Sequence, residues 1–148
     1  MNTRLFGEIE IEKDKEICFE NGLIGFPNCT RYALIYDADK PEKRGISWLQ
    51  SLEDESFALP VIDPLLVKED YAPDIDEELL KTLGEPKGEN IYLLVTVTAT
   101  SKKENISVNL KAPIIINTET RKAIQVITDS DFPVKYKIYD ILKEKAGE

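Results

Sequence analysis

Carboxylates are the side chains left in this chain for acid–base catalysis or for binding a hard metal ion. Its 148 residues include no histidine, which excludes Ser-His-Asp and Cys-His triads and histidine metal sites. The closest aspartate pairs are Asp37-Ala38-Asp39, Asp74-Ile75-Asp76 and Asp129-Ser130-Asp131. None continues into a calcium loop with its glycine and terminal glutamate, and roles in turns or helix caps account for all three pairs.

The enzyme classes that such carboxylates would serve are weakly supported. A glycosidase built on two carboxylates needs a long cleft and usually a larger scaffold. The seven glycines are scattered, and Gly22-Leu23-Ile24-Gly25 lacks the lysine and hydroxyl residue of a phosphate-binding loop. We therefore predict a protein that is not an enzyme and that needs neither a cofactor nor a metal ion. The alternative is a carboxylate-dependent enzyme, which would place two acids in a concave pocket and raise the pKa of one of them.

The negative charge of the chain is gathered in one stretch, residues 53–78, which we call the acidic segment. The formal net charge of the whole chain is −9, and this segment alone carries −9. Its single base is Lys68, and its ten acids are Glu53, Asp54, Glu55, Asp63, Glu69, Asp70, Asp74, Asp76, Glu77 and Glu78. Such an excess attracts a basic partner and repels nucleic-acid phosphates. The other explanation is a solvated helix and loops kept acidic for solubility.

Direct binding of nucleic acid is disfavoured by the same charges. The lysines are spread along the chain, with only Lys102-Lys103 and Arg121-Lys122 as adjacent basic pairs. A small β-barrel that stacks bases on its aromatic side chains also needs a positive groove that follows the nucleic-acid backbone, and the sequence indicates none. An RNA-binding β-barrel is kept as the second alternative to a protein-binding function, and these charges argue against it.

Alternation of apolar and polar residues with period two runs through most of the chain, as in strands with one buried face. It predicts strands over residues 5–11, 17–19, 32–36, 57–62, 91–98, 106–110, 114–116, 122–128 and 134–139. Many short strands joined by short turns indicate a mostly β fold, a small antiparallel β-barrel-like domain.

One segment has helical spacing instead. Ile75, Leu79 and Leu83 form an apolar stripe, Asp74 can cap the first turn, and Gly84 can end the helix. The sequence therefore predicts one short helix near residues 74–83. The last residues, 143–148, are expected to fray.

Length and hydropathy predict a single domain over residues 1–148 that folds as a monomer in the cytoplasm. The N-terminus lacks the pattern of a signal peptide, and no apolar run is long enough to cross a membrane. Cys18 and Cys29 match no redox or zinc spacing, so we expect both to be small buried or half-buried hydrophobes.

A series of short motifs stands out along the sequence. In chain order the motifs are Phe6-Gly7, FENGLIGFP from Phe19, WLQSL from Trp48, Asp63-Pro64, Tyr71, VNLKAPIIIN from Val108, Ala123 and Gln125-Val126. Together they resemble one known family, that of the flagellar assembly factor FliW. The resemblance extends from about residue 5 to residue 139, and the segment after Tyr139 carries no family motif.

The resemblance implies a small antiparallel β-barrel-like protein without enzymatic activity. It implies two protein partners, newly made flagellin and CsrA, a small RNA-binding repressor of flagellin translation. In the implied switch, accumulating flagellin occupies the family member and frees CsrA to block flagellin translation, and export of flagellin restores the complex with CsrA. The implied inhibition of CsrA is allosteric and leaves its RNA site uncovered. No direct contact with nucleic acid or with a membrane is expected.

Ten residues are candidates for contact with a partner. Five are carboxylates of the acidic segment, which we expect to face CsrA or its RNA, and five lie in the WLQSL and VNLKAPIIIN motifs. The ten are Trp48, Gln50, Glu53, Asp54, Glu55, Glu69, Asp70, Asn109, Lys111 and Asn117.

The candidates outside the acidic segment each have a structural explanation as well. Trp48 could be core or an interface anchor, and the neighbouring Gln50 suggests an exposed edge. Asn109, Lys111 and Asn117 interrupt an apolar run that includes a proline, which points to an edge strand or bulge. Such an edge could receive a partner strand or dock a flagellin helix. A conformational role for the VNLKAPIIIN motif is equally consistent with these residues.

Overall fold

The structure, a computed structural model, describes residues 2–3, 7–8, 16–26, 30–36, 46–84, 90–128 and 131–146. Its strands are β1 (Asn2–Thr3), β2 (Gly7–Glu8), β3 (Glu16–Phe19), β4 (Arg31–Tyr36), β5 (Ile46–Ser51), β6 (Ala58–Ile62), β7 (Ile91–Thr98), β8 (Ser107–Val108), β9 (Ile114–Asn117), β10 (Lys122–Gln125) and β11 (Tyr136–Lys137). Its helices are α1 (Glu77–Lys81), α2 (Tyr139–Ala146) and two single 3-10 turns, Pro64–Leu66 and Lys103–Asn105.

Seven of the described strands close into a barrel in the order β3, β4, β5, β6, β7, β9 and β10, and β10 returns to β3. Neighbouring strands are antiparallel except at the closing pair, where Lys122 and Ala123 of β10 lie parallel to Cys18 and Phe19 of β3. The predicted mostly β, barrel-like fold is confirmed, and this parallel pair is a detail that period-two alternation does not reveal.

Strand β7 is the branch point of the sheet. Its first half, Ile91 to Leu94, pairs with β9, its residues Val95 and Thr96 pair with β6, and Val97 and Thr98 pair with β8. Strand β8 in turn pairs with β11. The barrel therefore continues at one end into a small three-stranded extension, β7–β8–β11.

Two apolar clusters lie on opposite faces of β6 and β7. Val61 and Leu94 belong to the inner cluster, to which all seven barrel strands contribute, whereas Ile62 and Val95 belong to an outer cluster. Because successive side chains of a strand point to opposite faces, both strands are buried on both sides. The outer face is covered by residues 64–71, the β8–β11 extension and α2.

Tyr71 links the segment of residues 64–71 to the chain around the β8–β11 extension. It is almost fully buried, its hydroxyl donates a 2.6 Å hydrogen bond to the Leu110 carbonyl, and its ring packs 4.8 Å from that of Phe132. Burial raises the pKa of Tyr71 to about 12. The neutral phenol is therefore the form that the fold stabilises.

Several local predictions need correction. The helix of residues 74–83 is shorter, Glu77–Lys81, because the side chain of Asp76, not Asp74, accepts from Glu78 N as its N-cap. The strand predicted over 134–139 is shorter, at Tyr136–Lys137, and helix α2 follows it from Tyr139 to Ala146, where a frayed end was predicted for residues 143–148. Cys18 is exposed, and not buried as expected, because it lies on the outward face of β3.

The remaining differences concern strands. Strand β5 was missing from the prediction, and the predicted strands over 106–110 and 122–128 are shorter, at Ser107–Val108 and Lys122–Gln125. Most of the predicted strand over 5–11 lies outside the described residues, as does Cys29.

We predict that Tyr71→Phe lowers the free energy of unfolding at pH 7 by roughly 1 to 3 kcal/mol, because the buried Leu110 carbonyl loses its donor. In the wild-type chain the contribution of Tyr71 is complete below the ordinary tyrosine pKa of about 10 and is lost as the pH rises through about 12. Urea unfolding at pH 8 and pH 11 should therefore show the two chains converging at the higher pH. A constant difference between them would contradict this role.

Candidate functional site

The turn that follows β5 opens the acidic segment, and its first carboxylate is a structural clamp. Glu53 Oε1 accepts hydrogen bonds from the backbone N–H groups of Thr30, at 2.6 Å, and Arg31, at 2.8 Å, and from the Thr30 hydroxyl, at 3.1 Å. The bonds from the two N–H groups hold the pKa of the Glu53 carboxyl below its ordinary value. Glu53 therefore ties this turn to the start of β4.

Asp54 has a similar local role. Its carboxylate accepts from the Ser56 hydroxyl at 2.6 Å and from the Ser56 N–H at 3.0 Å, and these bonds lower the pKa of the Asp54 carboxyl. The Ser51 hydroxyl accepts from the N–H groups of Glu53 and Asp54 on the opposite side of the turn. The side chains of Ser51 and Asp54 thus stabilise the turn by accepting hydrogen bonds from nearby backbone N–H groups, as serine and aspartate commonly do in turns.

Gln50 lies beneath this turn and is fully buried. Its Nε2 lies 3.0 Å from the carbonyl oxygens of Ser51 and Phe57 and 3.4 Å from those of Asp54 and Glu55. The predicted exposed edge at Gln50 is therefore absent, because its amide supports the turn from inside. Trp48, two residues earlier on β5, is half-buried.

Four further carboxylates of the acidic segment have partners within the chain, and one of them is Glu78, which lies 3.8 Å from Lys81 Nζ. Asp63 accepts from Leu65 N at the start of the 3-10 turn, and Asp76 caps α1. Asp70 forms a 3.0 Å ion pair with Lys68, and this bond lowers the pKa of the Asp70 carboxyl.

Four exposed carboxylates of the segment form no hydrogen bond or ion pair with the described residues: Glu55, Glu69, Asp74 and Glu77. Two of them, Glu55 and Glu69, are among the candidates from the sequence. The structure therefore separates the predicted carboxylates into Glu53, Asp54 and Asp70, which bind groups of their own chain, and Glu55 and Glu69, which bind none among the described residues.

A second surface contains Asn109 and Lys111, two of the three candidates in the VNLKAPIIIN motif. Both line an open groove of about 430 Å³, which we call the apolar groove. The groove collects four of the six large exposed apolar side chains of the described residues: Ile24, Phe26, Ile127 and Val134. Among the described lining residues, Lys111 is the one charged side chain. Sequence reasoning missed the four apolar residues.

Asn117, the last residue of the motif, is fully buried at the opposite end of β9 and does not reach the groove. Its Oδ1 accepts from the N–H groups of Glu119 and Thr120 and shapes the β9–β10 turn. Asn109 caps in the same way, since its Oδ1 accepts from the N–H groups of Lys111 and Ala112. The two asparagines of the motif thus form turns, which is the conformational role left open above, whereas Lys111 lines the groove.

A two-residue turn builds one wall of the groove. Leu23 and Phe26 exchange backbone hydrogen bonds of 3.3 and 2.8 Å across Ile24 and Gly25. Gly25 has φ 89°, a conformation that glycine adopts without steric cost and that a type II turn requires at this position. Large apolar residues flank the turn glycine, where polar residues are usual, and this is the signal from which the groove could have been predicted.

Gln125 joins this wall to the opposite one. Its Oε1 accepts from Ile24 N at 2.9 Å, and its Nε2 donates to the Ala112 carbonyl at 3.1 Å. Phe26 also stacks on Phe57, with ring centroids 4.3 Å apart, so the groove borders the residue that ends the acidic turn.

Neither a metal centre nor a membrane span is indicated in the described part of the chain. No group of three or more histidine, cysteine, aspartate or glutamate side chains there could hold a metal ion. No helix within the described ranges is long and apolar enough to cross a membrane.

We predict that Glu53→Ala lowers the free energy of unfolding at pH 7 by about 1 kcal/mol, a typical result of losing a carboxylate that caps backbone N–H groups. Because its pKa is lowered in the folded chain, the contribution of Glu53 is present above the ordinary value of 4.5 and is lost as the pH falls below it.

Glu55→Ala is the matched control, since it removes the same charge from an exposed carboxylate without a partner among the described residues. Thermal unfolding at pH 7 and pH 3 should show a deficit for Glu53→Ala that shrinks at pH 3, and no deficit for Glu55→Ala. Equal effects of the two substitutions would refute the clamp.

Comparison with known proteins identifies the relatives of this chain. The family model described as FliW protein matches residues 1–138. The flagellar assembly factor FliW of Lachnoclostridium phytofermentans is 46% identical over 145 residues, which cover 97% of this chain and 93% of the relative. That of Lachnospira eligens is 44% identical over 147 residues, which cover 98% and 97%.

A solved structure agrees with the sequence matches. The crystal structure of the flagellar assembly factor FliW superimposes with a TM-score of 0.83 at 27% identity, covering 93% of this chain and 95% of the solved chain. The matching family consists of flagellar assembly factors, a regulatory class and not an enzyme class, in agreement with the prediction that the chain is not an enzyme. The chain therefore belongs to the FliW family of flagellar assembly factors.

Proposed function

We propose that this flagellar assembly factor works in the cytoplasm as a partner switch that binds CsrA and flagellin in turn. Bound to CsrA, it antagonises RNA binding allosterically, and accumulating flagellin displaces CsrA and restores repression of flagellin translation. The observation that carries the proposal is FliW family membership over residues 1–138. The unpaired carboxylates of the acidic segment support it, since a protein that binds RNA must present positive charge.

The CsrA half of the switch depends on those carboxylates. Glu55 and Glu69 are exposed and have no partner among the described residues, so their full charge is available to an approaching basic surface. Carboxylates held close to CsrA would also raise the free energy of bringing RNA phosphates into the complex, without covering the RNA site. Both effects act through the electrostatic potential and should weaken with salt.

Glu53, Asp54 and Asp70 contribute less to this attraction. Each of these carboxylates is engaged with N–H groups, a hydroxyl or a lysine of its own chain. Their main contribution is to fix the loops from which the unpaired carboxylates project.

A competition titration tests the switch itself. We expect labelled CsrA, bound to this protein at a fixed concentration, to be released stoichiometrically as flagellin is added, with a matching recovery of CsrA binding to RNA. Fluorescence anisotropy of the labelled CsrA reports the release. Formation of a ternary complex in which CsrA stays bound would contradict the switch, and retention of the protein on RNA without CsrA would favour an RNA-binding barrel.

We predict that Glu55→Gln combined with Glu69→Gln slows association with CsrA by roughly two- to fivefold at low salt, because two unpaired charges no longer steer the encounter. The difference should nearly vanish at high salt, since the screening length is only about 8 Å at physiological ionic strength. Stopped-flow fluorescence at two salt concentrations measures both rates.

The matched control is Glu20→Gln combined with Glu104→Gln, which removes two exposed charges from outside the acidic segment. It should leave the rate nearly unchanged. If both pairs slow association equally, net charge is responsible and the acidic segment has no special role.

A further inference from the structure

The apolar groove gathers exposed apolar surface to an unusual degree for this chain. Ile24 is 50% exposed, Phe26 44%, Ile127 64% and Val134 55%. Single exposed apolar side chains are ordinary, but several around one depression mark an interaction site. Because these side chains project around the groove without closing over it, they suit a peptide segment laid across them better than an enclosed small molecule.

The walls of the groove are already formed without a partner. The Gln125 amide bridges Ile24 and Ala112, and Asn109 fixes the loop that bears Lys111. Phe26 is held by its stack on Phe57. A partner that docks here does not have to order these segments first, and this favours binding.

The charge of the groove is opposite to that of the chain as a whole. Lys111 lines it, and the ammonium group of Lys111 makes no hydrogen bond or ion pair with the described residues. No carboxylate is among the described residues that line the groove. In a chain of net charge −9, the described lining of this groove presents one cation and no carboxylate, so the groove itself favours a partner that brings a carboxylate to Lys111.

We propose that the apolar groove is the docking site for an apolar peptide segment that carries a carboxylate, and that this segment belongs to flagellin and not to CsrA. The assignment rests on the proposed function, which supplies the two partners, and it gives them adjoining surfaces. Phe26 of the groove stacks on Phe57 at the end of the acidic turn, so a segment docked in the groove lies close enough to exclude a partner bound at that turn. The basic, RNA-binding partner meets the acidic segment. The other partner meets the groove.

Two groove substitutions test the assignment, Ile127→Ser for the apolar contact and Lys111→Glu for the charge. Ile127 is largely exposed, so its replacement should leave the fold intact. We expect each to weaken flagellin binding at least tenfold in calorimetric titrations while the affinity for CsrA changes less than twofold. Lys111→Gln should have a smaller effect than Lys111→Glu, because it removes the attraction without adding repulsion.

Matched controls outside the groove are Leu65→Ser, at a side chain 52% exposed on the 3-10 turn, and Lys102→Glu, at an exposed lysine. Both should bind flagellin as the wild type does, and thermal unfolding should show all variants folded. Unchanged flagellin binding by the groove variants would overturn the docking assignment alone. Failure of flagellin to bind the wild-type chain would overturn the proposed function and the assignment together.

A fluorescent probe tests the chemistry of the groove directly. Anilinonaphthalene sulfonate combines apolar rings with an anion, and we expect the wild-type chain to enhance its fluorescence several times more than Ile127→Ser or Lys111→Glu does. Added flagellin should displace the dye, and CsrA should not. Dye that binds in the groove but is not displaced by flagellin would overturn the assignment and indicate a site for a small apolar anion.

Discussion

Strand β7 forms backbone hydrogen bonds with three other strands, β6, β8 and β9, and most of the architecture follows from this pairing. It pairs with β9 and β6 to complete the barrel wall and then continues beyond the wall to pair with β8. A strand in this position is covered on both faces, which is why Leu94 and Val95, adjacent in sequence, belong to two different apolar clusters. The outer cluster then requires its own cover, and residues 64–71 and α2 supply it.

This two-sided burial also explains what could be predicted from the sequence. The concentration of β-branched and aromatic residues between turn residues identified β3, β4, β6 and β7 and hence the fold class, although β6 and β7 are buried on both faces and do not follow a strict period of two. Strand β5 was missed because Leu49, Gln50 and Ser51 are buried in succession, without alternation, and two of them are polar residues under the turn that Gln50 supports. Helix α2 was missed because its sequence is weakly apolar and the cluster against which it packs, which includes Ile62, Val95 and Val108, is remote in sequence.

The functional surfaces were predictable to different degrees. The acidic segment could be found by counting charges, but the difference between a paired carboxylate such as Glu53 and an unpaired one such as Glu55 depends on Thr30 and Arg31, which lie on another strand. Asn109 and Lys111 were identified as unusual. Their grouping with Ile24 and Ile127 depends on barrel closure, which no local pattern encodes.

Barrel closure has a further consequence, for the order of folding. Strands β4, β5 and β6 can pair as local hairpins, but β3 meets β10, and Ile24 meets Gln125, across a sequence separation of 101 residues in the latter case. Contacts between residues so far apart carry a large loop-closure entropy and form late. On the ribosome, the hairpins can assemble while the chain is still growing, whereas the groove is complete only after Val134 has emerged. A nascent or truncated chain would therefore display its acidic turn before it possesses its apolar groove.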